Sequence, residues 1–257
     1  MTTLFNHFHR VAAALVLAVG FWTASTAQAV TINGDFSTAV GSIGGYTGLG
    51  AAPDAGTYWN NVEIDPTPNA NFISVFPWMS DSLLASDGVT DTGDTVSLTM
   101  AGWMYIDEQA SAGFAPELLS DRVGIDGIFS ESSLTFTFSG LTLDGEYDLY
   151  LYSQNGASAN GTTFFDVGGD AKIAQNTAAA NSGFVEGDNY VKYEGIVASG
   201  GVISGQVTFT GSNGYFNGFQ LVSAGETNEI PEPSSLVLAG LAALGGLFVV
   251  RRKTRKA

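Results

Sequence analysis

The chain has 257 residues, a formal net charge of −16 and no cysteine. Between residues 30 and 230, three basic residues stand against 24 acidic ones, and this net charge of −21 argues against binding to nucleic-acid phosphates. Both histidines, His7 and His9, lie within the first ten residues. The remainder therefore lacks the residues for a Ser-His-Asp triad, a cysteine nucleophile or a histidine-liganded metal site.

The first 29 residues have the features of a secretory signal peptide. Arg10 supplies a positive charge, an apolar run of twelve residues follows, and Ala27 and Ala29 form a small-residue cleavage site. The alternative is an uncleaved membrane anchor. Because the run is short for a membrane-spanning helix, we predict cleavage after Ala29.

Residues 30–222 are predicted to form short strands. Apolar and polar residues alternate over 134–139 and again over 146–152, and Asp144-Gly145 between them predicts a hairpin turn. Only residues 115–123 look helical, with Pro116 at an early helix position. Closely spaced strands without alternating helices predict an all-β fold, a single jelly-roll-like β-sandwich.

Two segments look irregular, and a distinctive C-terminal segment follows the second of them. Residues 39–56 are rich in Gly and Ala and are predicted to form a long loop, whereas 223–229 form a polar linker. Next come Pro231, Glu232 and Pro233, then an apolar run within 234–250 and a basic end at 251–257. The prolines favour an extended, accessible backbone, and the basic end is predicted to stay on the cytoplasmic side of a membrane.

The tripeptide, the apolar helix, the basic cluster and their C-terminal position together resemble the PEP-CTERM sorting signal of Gram-negative bacteria. The resemblance covers residues 230–257. It implies an exosortase as partner, a precursor held in the inner membrane by its C-terminal helix, and delivery to the cell surface or extracellular matrix of a biofilm- and exopolysaccharide-forming bacterium. The alternative for the prolines is a rigid stalk beside a membrane helix.

Residues 132–222 look like galactose-binding-like or carbohydrate-binding β-sandwich modules of exported bacterial proteins. The most particular element of this looser resemblance is Asn217-Gly218-Phe219. It prescribes no active site, and the alternative for the element is a glycine bulge in a final core strand.

Aromatic side chains are candidates for glycan contact, because the C–H faces of sugars pack on rings. The alternative is that tryptophans and tyrosines of a sandwich belong to its core. The candidate residues are Trp59, Trp78, Trp103, Tyr105, Tyr150 and Tyr152.

Three aspartates, Asp87, Asp91 and Asp94, lie in one glycine-containing loop. Oxygen ligands on a turn suit Ca²⁺, so this loop is a candidate calcium site. Its spacing is not that of an EF-hand, and the alternative is a solvated acidic turn.

The sequence thus predicts an exported, non-catalytic protein with a structural or glycan-binding role and extracellular polysaccharide as a partner. One alternative is a polysaccharide hydrolase that uses paired Asp or Glu carboxylates. Another is an adhesin whose exposed edge strands pair with neighbouring molecules.

Overall fold

A computed structural model of the protein describes residues 29–38, 46–53, 56–64, 73–74, 77–101, 103–108, 118–119, 121–126, 133–142, 144–154, 161–177, 183–210 and 213–224. All of them fall within one unit, residues 29–224. The predicted signal peptide up to residue 28 and the sorting segment at 230–257 lie outside the described residues.

The regular structure of the described part consists of strands, numbered here in chain order. They are β1 (Thr31–Thr38), β2 (Asn60–Ile64), β3 (Ile73–Ser74), β4 (Pro77–Met79), β5 (Thr95–Ala101), β6 (Trp103–Glu108), β7 (Asp121–Asp126), β8 (Ser133–Ser139), β9 (Glu146–Tyr152), β10 (Thr162–Val167), β11 (Asp170–Ala174), β12 (Tyr190–Val197), β13 (Val202–Thr210), β14 (Asn213–Phe216) and β15 (Gly218–Ser223).

These strands form three sheets. The first has the order β12-β9-β15-β1-β2, the second β11-β10-β13-β8-β5-β4 and the third β14-β7-β6-β3. Neighbouring strands are antiparallel except β1 and β2, which are parallel. The prediction of an all-β sandwich is confirmed.

Phenylalanine side chains fill the space between the first two sheets. Phe138 of β8 packs edge-on against Phe219 of β15, with ring centroids 4.7 Å apart. Phe36 of β1 meets Phe216 at 4.8 Å, and Phe216 meets Phe136 at 5.5 Å. All five rings are buried, and each contributes about 2–3 kcal/mol through the area it removes from water.

The turn at Asp144-Gly145 forms as predicted, but it does not close a hairpin. Asp144 adopts a left-handed conformation (φ 54°), and Gly145 N donates to Thr142 O at 3.0 Å. The strands it joins belong to different sheets, since β8 pairs with β5 and β13 whereas β9 pairs with β12 and β15. The hairpin prediction is therefore wrong: β8 already has a neighbour on each side, so the chain crosses to the other sheet.

The helix predicted over residues 115–123 is also wrong at its C-terminal end. Leu118 and Leu119 are helical, but the chain enters β7 at Asp121. Val123 is fully buried and pairs with both β6 and β14. Sheet pairing and burial outweigh local helix preference here.

The first and last strands of the unit lie side by side. β1 and β15 are antiparallel neighbours in the middle of the first sheet. Val30 N donates to Ser223 Oγ at 2.8 Å, and Ser223 N donates to Val30 O at 2.8 Å. The start of β1 and the end of β15 therefore lie at the same end of the paired strands.

Substituting Gly205 with alanine is expected to destabilise the sandwich. A Cβ at this β13 position would lie 2.3 Å from Phe136 Cζ and 2.8 Å from Asp166 O, a backbone atom that cannot move independently. We expect a loss of about 1–3 kcal/mol in the free energy of unfolding, measured by urea denaturation. The adjacent, exposed Gln206→Ala is the control and is expected to stay within about 0.5 kcal/mol. Equal losses in both variants would contradict the close approach at Gly205.

Candidate functional site

The outer face of the first sheet carries a buried layer of amide and phenol groups. Asn33 of β1 and Gln220 of β15 are cross-strand neighbours, and neither is exposed to solvent. Gln220 Nε2 donates to Asn33 Oδ1 at 2.8 Å, and the Tyr152 hydroxyl donates to Gln220 Oε1. Burial raises the pKa of Tyr152, so this hydroxyl keeps the proton that it donates.

Residues 46–53 form a strap over this layer. The strap is held by backbone donors that have buried side-chain acceptors: Ala51 N donates to the Tyr152 hydroxyl at 2.6 Å, and Ala52 N donates to Gln220 Oε1 at 2.9 Å. An unpaired buried amide costs about 1–3 kcal/mol, so these acceptors determine where the strap lies.

Two glycines let the strap approach closely. A Cβ on Gly50 would overlap the side-chain amide of Gln220. Gly48 accepts a hydrogen bond at its carbonyl from Trp59 Nε1, at 2.9 Å. The Gly- and Ala-rich composition of residues 39–56 predicted an irregular loop. In the strap, these small residues allow the backbone to pack closely on the sheet.

The strap and the sheet enclose an aromatic cluster. Trp59, 4% exposed, lies edge-on to Tyr46 (5.2 Å) and Tyr152 (5.9 Å), and Phe184 packs on Tyr152 at 5.2 Å. Tyr150 is buried in the same cluster. The structure thus brings together three of the six glycan-contact candidates, Trp59, Tyr150 and Tyr152, in packed positions. Their contact with a sugar stays a prediction.

The other three aromatic candidates lie elsewhere in the fold. Trp78 is in β4 of the second sheet, whereas Trp103 and Tyr105 are in β6 of the third. The structure describes the backbone of these three residues but not their side chains. Their glycan contact also stays a prediction.

The first aspartate of the acidic loop organises its own turn. Asp87 Oδ1 accepts from Val89 N and Thr90 N, both at 2.8 Å, and Oδ2 accepts from the Thr90 hydroxyl at 2.6 Å. The side-chain hydrogen bond from Thr90, followed by the backbone ones, lowers the pKa of Asp87. Both carboxylate oxygens thus have partners within four residues.

The other two aspartates of this loop differ in their surroundings. Asp91 accepts from the Ser82 hydroxyl and from Gly93 N, and the Ser82 bond is the main cause of its lowered pKa. Asp94 is partly buried, and burial raises its pKa. Among the described residues, no group of three or more acidic, His or Cys side chains lies close enough to hold a metal ion. The calcium site stays a prediction.

Asn217 joins three strands where β14 passes into β15. Its side-chain Oδ1 accepts a hydrogen bond from Gln154 N at 2.7 Å. Its backbone carbonyl accepts one from Phe36 N at 2.9 Å, and its backbone N–H donates one to Tyr152 O at 3.0 Å. Gly218 follows in close contact, because a Cβ there would lie 2.9 Å from Leu118 Cδ1. The most particular element of the sequence resemblance is therefore a buried strand junction.

A second group of polar residues near this junction was not predicted. Asp188 Oδ1 and Oδ2 accept from Thr177 N (2.7 Å) and the Thr177 hydroxyl (2.8 Å). Asn189 Oδ1 accepts from Val185 N at 2.9 Å. The Asp-Asn pair directly before β12 was the available signal, because such side chains commonly bond to backbone in turns.

Residues 229–253 match the PEP-CTERM protein-sorting motif. The chain thus carries the C-terminal sorting signal of an exported protein, and the recognition based on Pro231, Glu232 and Pro233 is confirmed. No helix of the described part is long and apolar enough to cross a bilayer, and the run at 234–250 lies outside that part.

Partial overlaps with solved structures include two carbohydrate-binding modules. TmCBM61 in complex with β-1,4-galactotriose shares 16% identity (TM-score 0.27), covering 48% of this chain and 86% of that one. A CBM35 from Cellvibrio japonicus shares 14% identity (TM-score 0.29), covering 49% and 92%. The insecticidal crystal protein Cry2Aa shares 20% identity (TM-score 0.28), covering 46% of this chain and only 18% of its own. At TM-scores this low, the overlaps identify neither a family nor a ligand.

No curated protein sequence matches this chain.

Replacing Tyr152 with phenylalanine is expected to loosen the strap. The change removes the acceptor of Ala51 N and a donor to Gln220, at a cost of about 1–3 kcal/mol in unfolding free energy. Denaturant unfolding followed by tryptophan fluorescence measures it. Tyr58→Phe, at a half-buried tyrosine, is the matched control and is expected to change stability little. A neutral Tyr152→Phe would contradict the importance of the hydroxyl.

The three loop aspartates are expected to titrate in two directions. Asp87 and Asp91 have lowered pKa values, so their stabilisation of the loop is complete above the ordinary aspartate pKa and is lost as the pH falls through the lowered values. Asp94 has a raised pKa, so its ionised form opposes folding and protonation relieves that cost at low pH. Carboxyl ¹³C NMR titration measures all three, and Asp94 titrating below Asp87 would contradict the described geometry.

Proposed function

We propose that the protein is sorted by an exosortase to the cell surface or extracellular matrix of a Gram-negative bacterium, where its β-sandwich has a non-catalytic structural or glycan-binding role. The observation that carries the proposal is the sorting motif at residues 229–253. Before processing, the segment 234–250 anchors the precursor in the inner membrane. The signal peptide ending at Ala29 brings the chain into the export pathway.

The surroundings of the two described lysines support a non-catalytic body. Lys192 Nζ lies 2.5 Å from Glu194 Oε1 and 3.5 Å from Asp148 Oδ2, and Lys172 Nζ donates to Lys192 O. The hydrogen bond that Lys192 donates to Glu194 raises the pKa of Lys192, which remains a cation and does not serve as a general base. Lys192 is therefore unavailable as the base of a Ser-Lys mechanism.

Three of the acidic side chains described above are likewise engaged in turns. Asp87, Asp91 and Asp188 accept hydrogen bonds from their own loops. Residues that hold turns are poorly placed to act as a pair of glycosidase carboxylates, which must flank a sugar.

A glycan-binding role is supported by two partly exposed rings beside the aromatic cluster of the first sheet. The half-buried rings of Phe184 and Tyr190 border the cluster, at centroid distances of 5.2 Å and 6.0 Å from Tyr152. Sugar faces pack on such rings.

A glycan array probed with the purified protein tests the role of the body. We expect retention on polysaccharides, without release of reducing ends. Each array is run with calcium and with a chelator, because the loop with Asp87, Asp91 and Asp94 remains a candidate calcium site. Reducing-end release that disappears on one carboxylate-to-amide change would instead establish the hydrolase.

Replacing Pro231, Glu232 and Pro233 by alanine is expected to block sorting in the native host. The unprocessed chain would accumulate in the inner membrane, because the tripeptide is the recognised part of the signal. Cell fractionation and the mass of the C-terminal peptide measure this. The exposed Pro53→Ala is the control for loss of a proline outside the motif. Normal delivery of the triple variant would contradict exosortase sorting.

A further inference from the structure

The outward face of the second sheet presents two rows of short polar side chains. Cross-strand pairing aligns Gln206, Thr135 and Thr99 in one row. It aligns Ser204, Thr137 and Ser97 in the next. These six residues, on β13, β8 and β5, are called the hydroxyl patch.

The patch faces solvent because its strands bury the alternate residues. Leu134, Phe136 and Phe138 of β8 point into the core, so Thr135 and Thr137 between them point outward. The Thr137 and Ser204 hydroxyls are 3.3 Å apart. Within the described ranges, the side chains of Thr99, Thr135 and Gln206 have no hydrogen-bond partner, so they can bond to a ligand.

The patch is uncharged in a strongly acidic body. Residues 30–230 carry a net charge of −21, yet all six patch residues are neutral. On the same face, Asp166 pairs with Gln206, and its Oδ1 accepts from Gly169 N at 2.9 Å in the neighbouring turn. A neutral partner can approach the six patch residues themselves without desolvating a charge, whereas an acidic one meets the negative field of the whole body.

We propose that the hydroxyl patch binds an extended, neutral polysaccharide that runs across the strands; this deepens the proposed glycan-binding role and rests on it. Adjacent strands are about 4.8 Å apart and like-facing residues along one strand about 6.7 Å. The first spacing is close to the length of one pyranose unit, so successive sugars meet successive strands. The two rows of side chains then provide hydrogen bonds to the two edges of the polysaccharide.

Apolar groups beside the patch suit the C–H faces of sugars. Threonine methyl groups lie among the hydroxyls. Met79 of β4 pairs with Ser97 and is 67% exposed, which extends the surface toward the sheet edge. A second copy of this protein fits less well, because two bodies of net charge −21 repel each other.

The test uses the purified protein and three insoluble probes: cellulose, a neutral β-glucan and an alginate gel. The variant T99V/T135V/S204A removes three hydroxyls and keeps the shape of the face. The matched control T57V/T142V/S199A removes three exposed hydroxyls elsewhere. We expect the patch variant to bind a neutral probe at least about tenfold more weakly than the parent, with the control unchanged.

Parent binding should persist in about 0.5 M salt, since no ion pair is involved. Thermal unfolding confirms that both variants fold.

Each contrary result has a distinct meaning. Unchanged neutral binding by the patch variant overturns the patch but leaves the glycan-binding role. Binding to alginate alone overturns the neutral ligand and likewise leaves that role. No binding to any probe overturns the patch together with the glycan-binding role, while sorting is assessed separately by fractionation. Self-association lost in the patch variant, seen by light scattering, identifies a second copy as the occupant and overturns the polysaccharide.

Discussion

The packing of phenylalanine rings between the first and second sheets is the constraint on which the rest of the structure depends. Phe138 against Phe219 sets the second sheet against the first, and Phe216 of β14, in the third sheet, contacts both Phe36 of the first sheet and Phe136 of the second. Strand alternation then determines the other faces, because every residue next to a core phenylalanine points outward. The amide layer and the hydroxyl patch are both consequences of this one core.

The outward faces of the first and second sheets differ in how their polar groups are used. On the first sheet, Gln220 and Tyr152 are large polar residues, and the strap at 46–53 covers them by donating backbone hydrogen bonds. On the second sheet, short hydroxyl side chains remain open to solvent. A single sandwich thus has one face that uses its polar groups internally and one that leaves them open to solvent.

Local sequence patterns predicted individual strands well. They do not show which strands pair, because pairing depends on contacts between distant parts of the chain. Alternation in β8 and β9 identified both strands, but nothing local indicates that Asp144-Gly145 crosses between sheets. The burial of Trp59, Tyr150 and Tyr152 depends on a Gly-rich strap, and composition alone describes that segment as a loop. The C-terminal sorting motif was recognised because its features are contiguous, while the hydroxyl patch depends on the register of three strands distant in sequence.

The pairing of β1 with β15 has a consequence for how the newly made chain folds. Synthesis delivers the N-terminal end first, yet without β15 the first sheet is divided into β12-β9 and β1-β2. Both halves then present unpaired backbone edges, which are prone to pair with other chains. Closing a contact between residues as far apart as Val30 and Ser223 is also slow, because the entropy of the intervening loop is lost first. The body can therefore complete its fold only when nearly all of it has been synthesised, so the interval before β15 becomes available is the period of greatest exposure to aggregation and proteolysis.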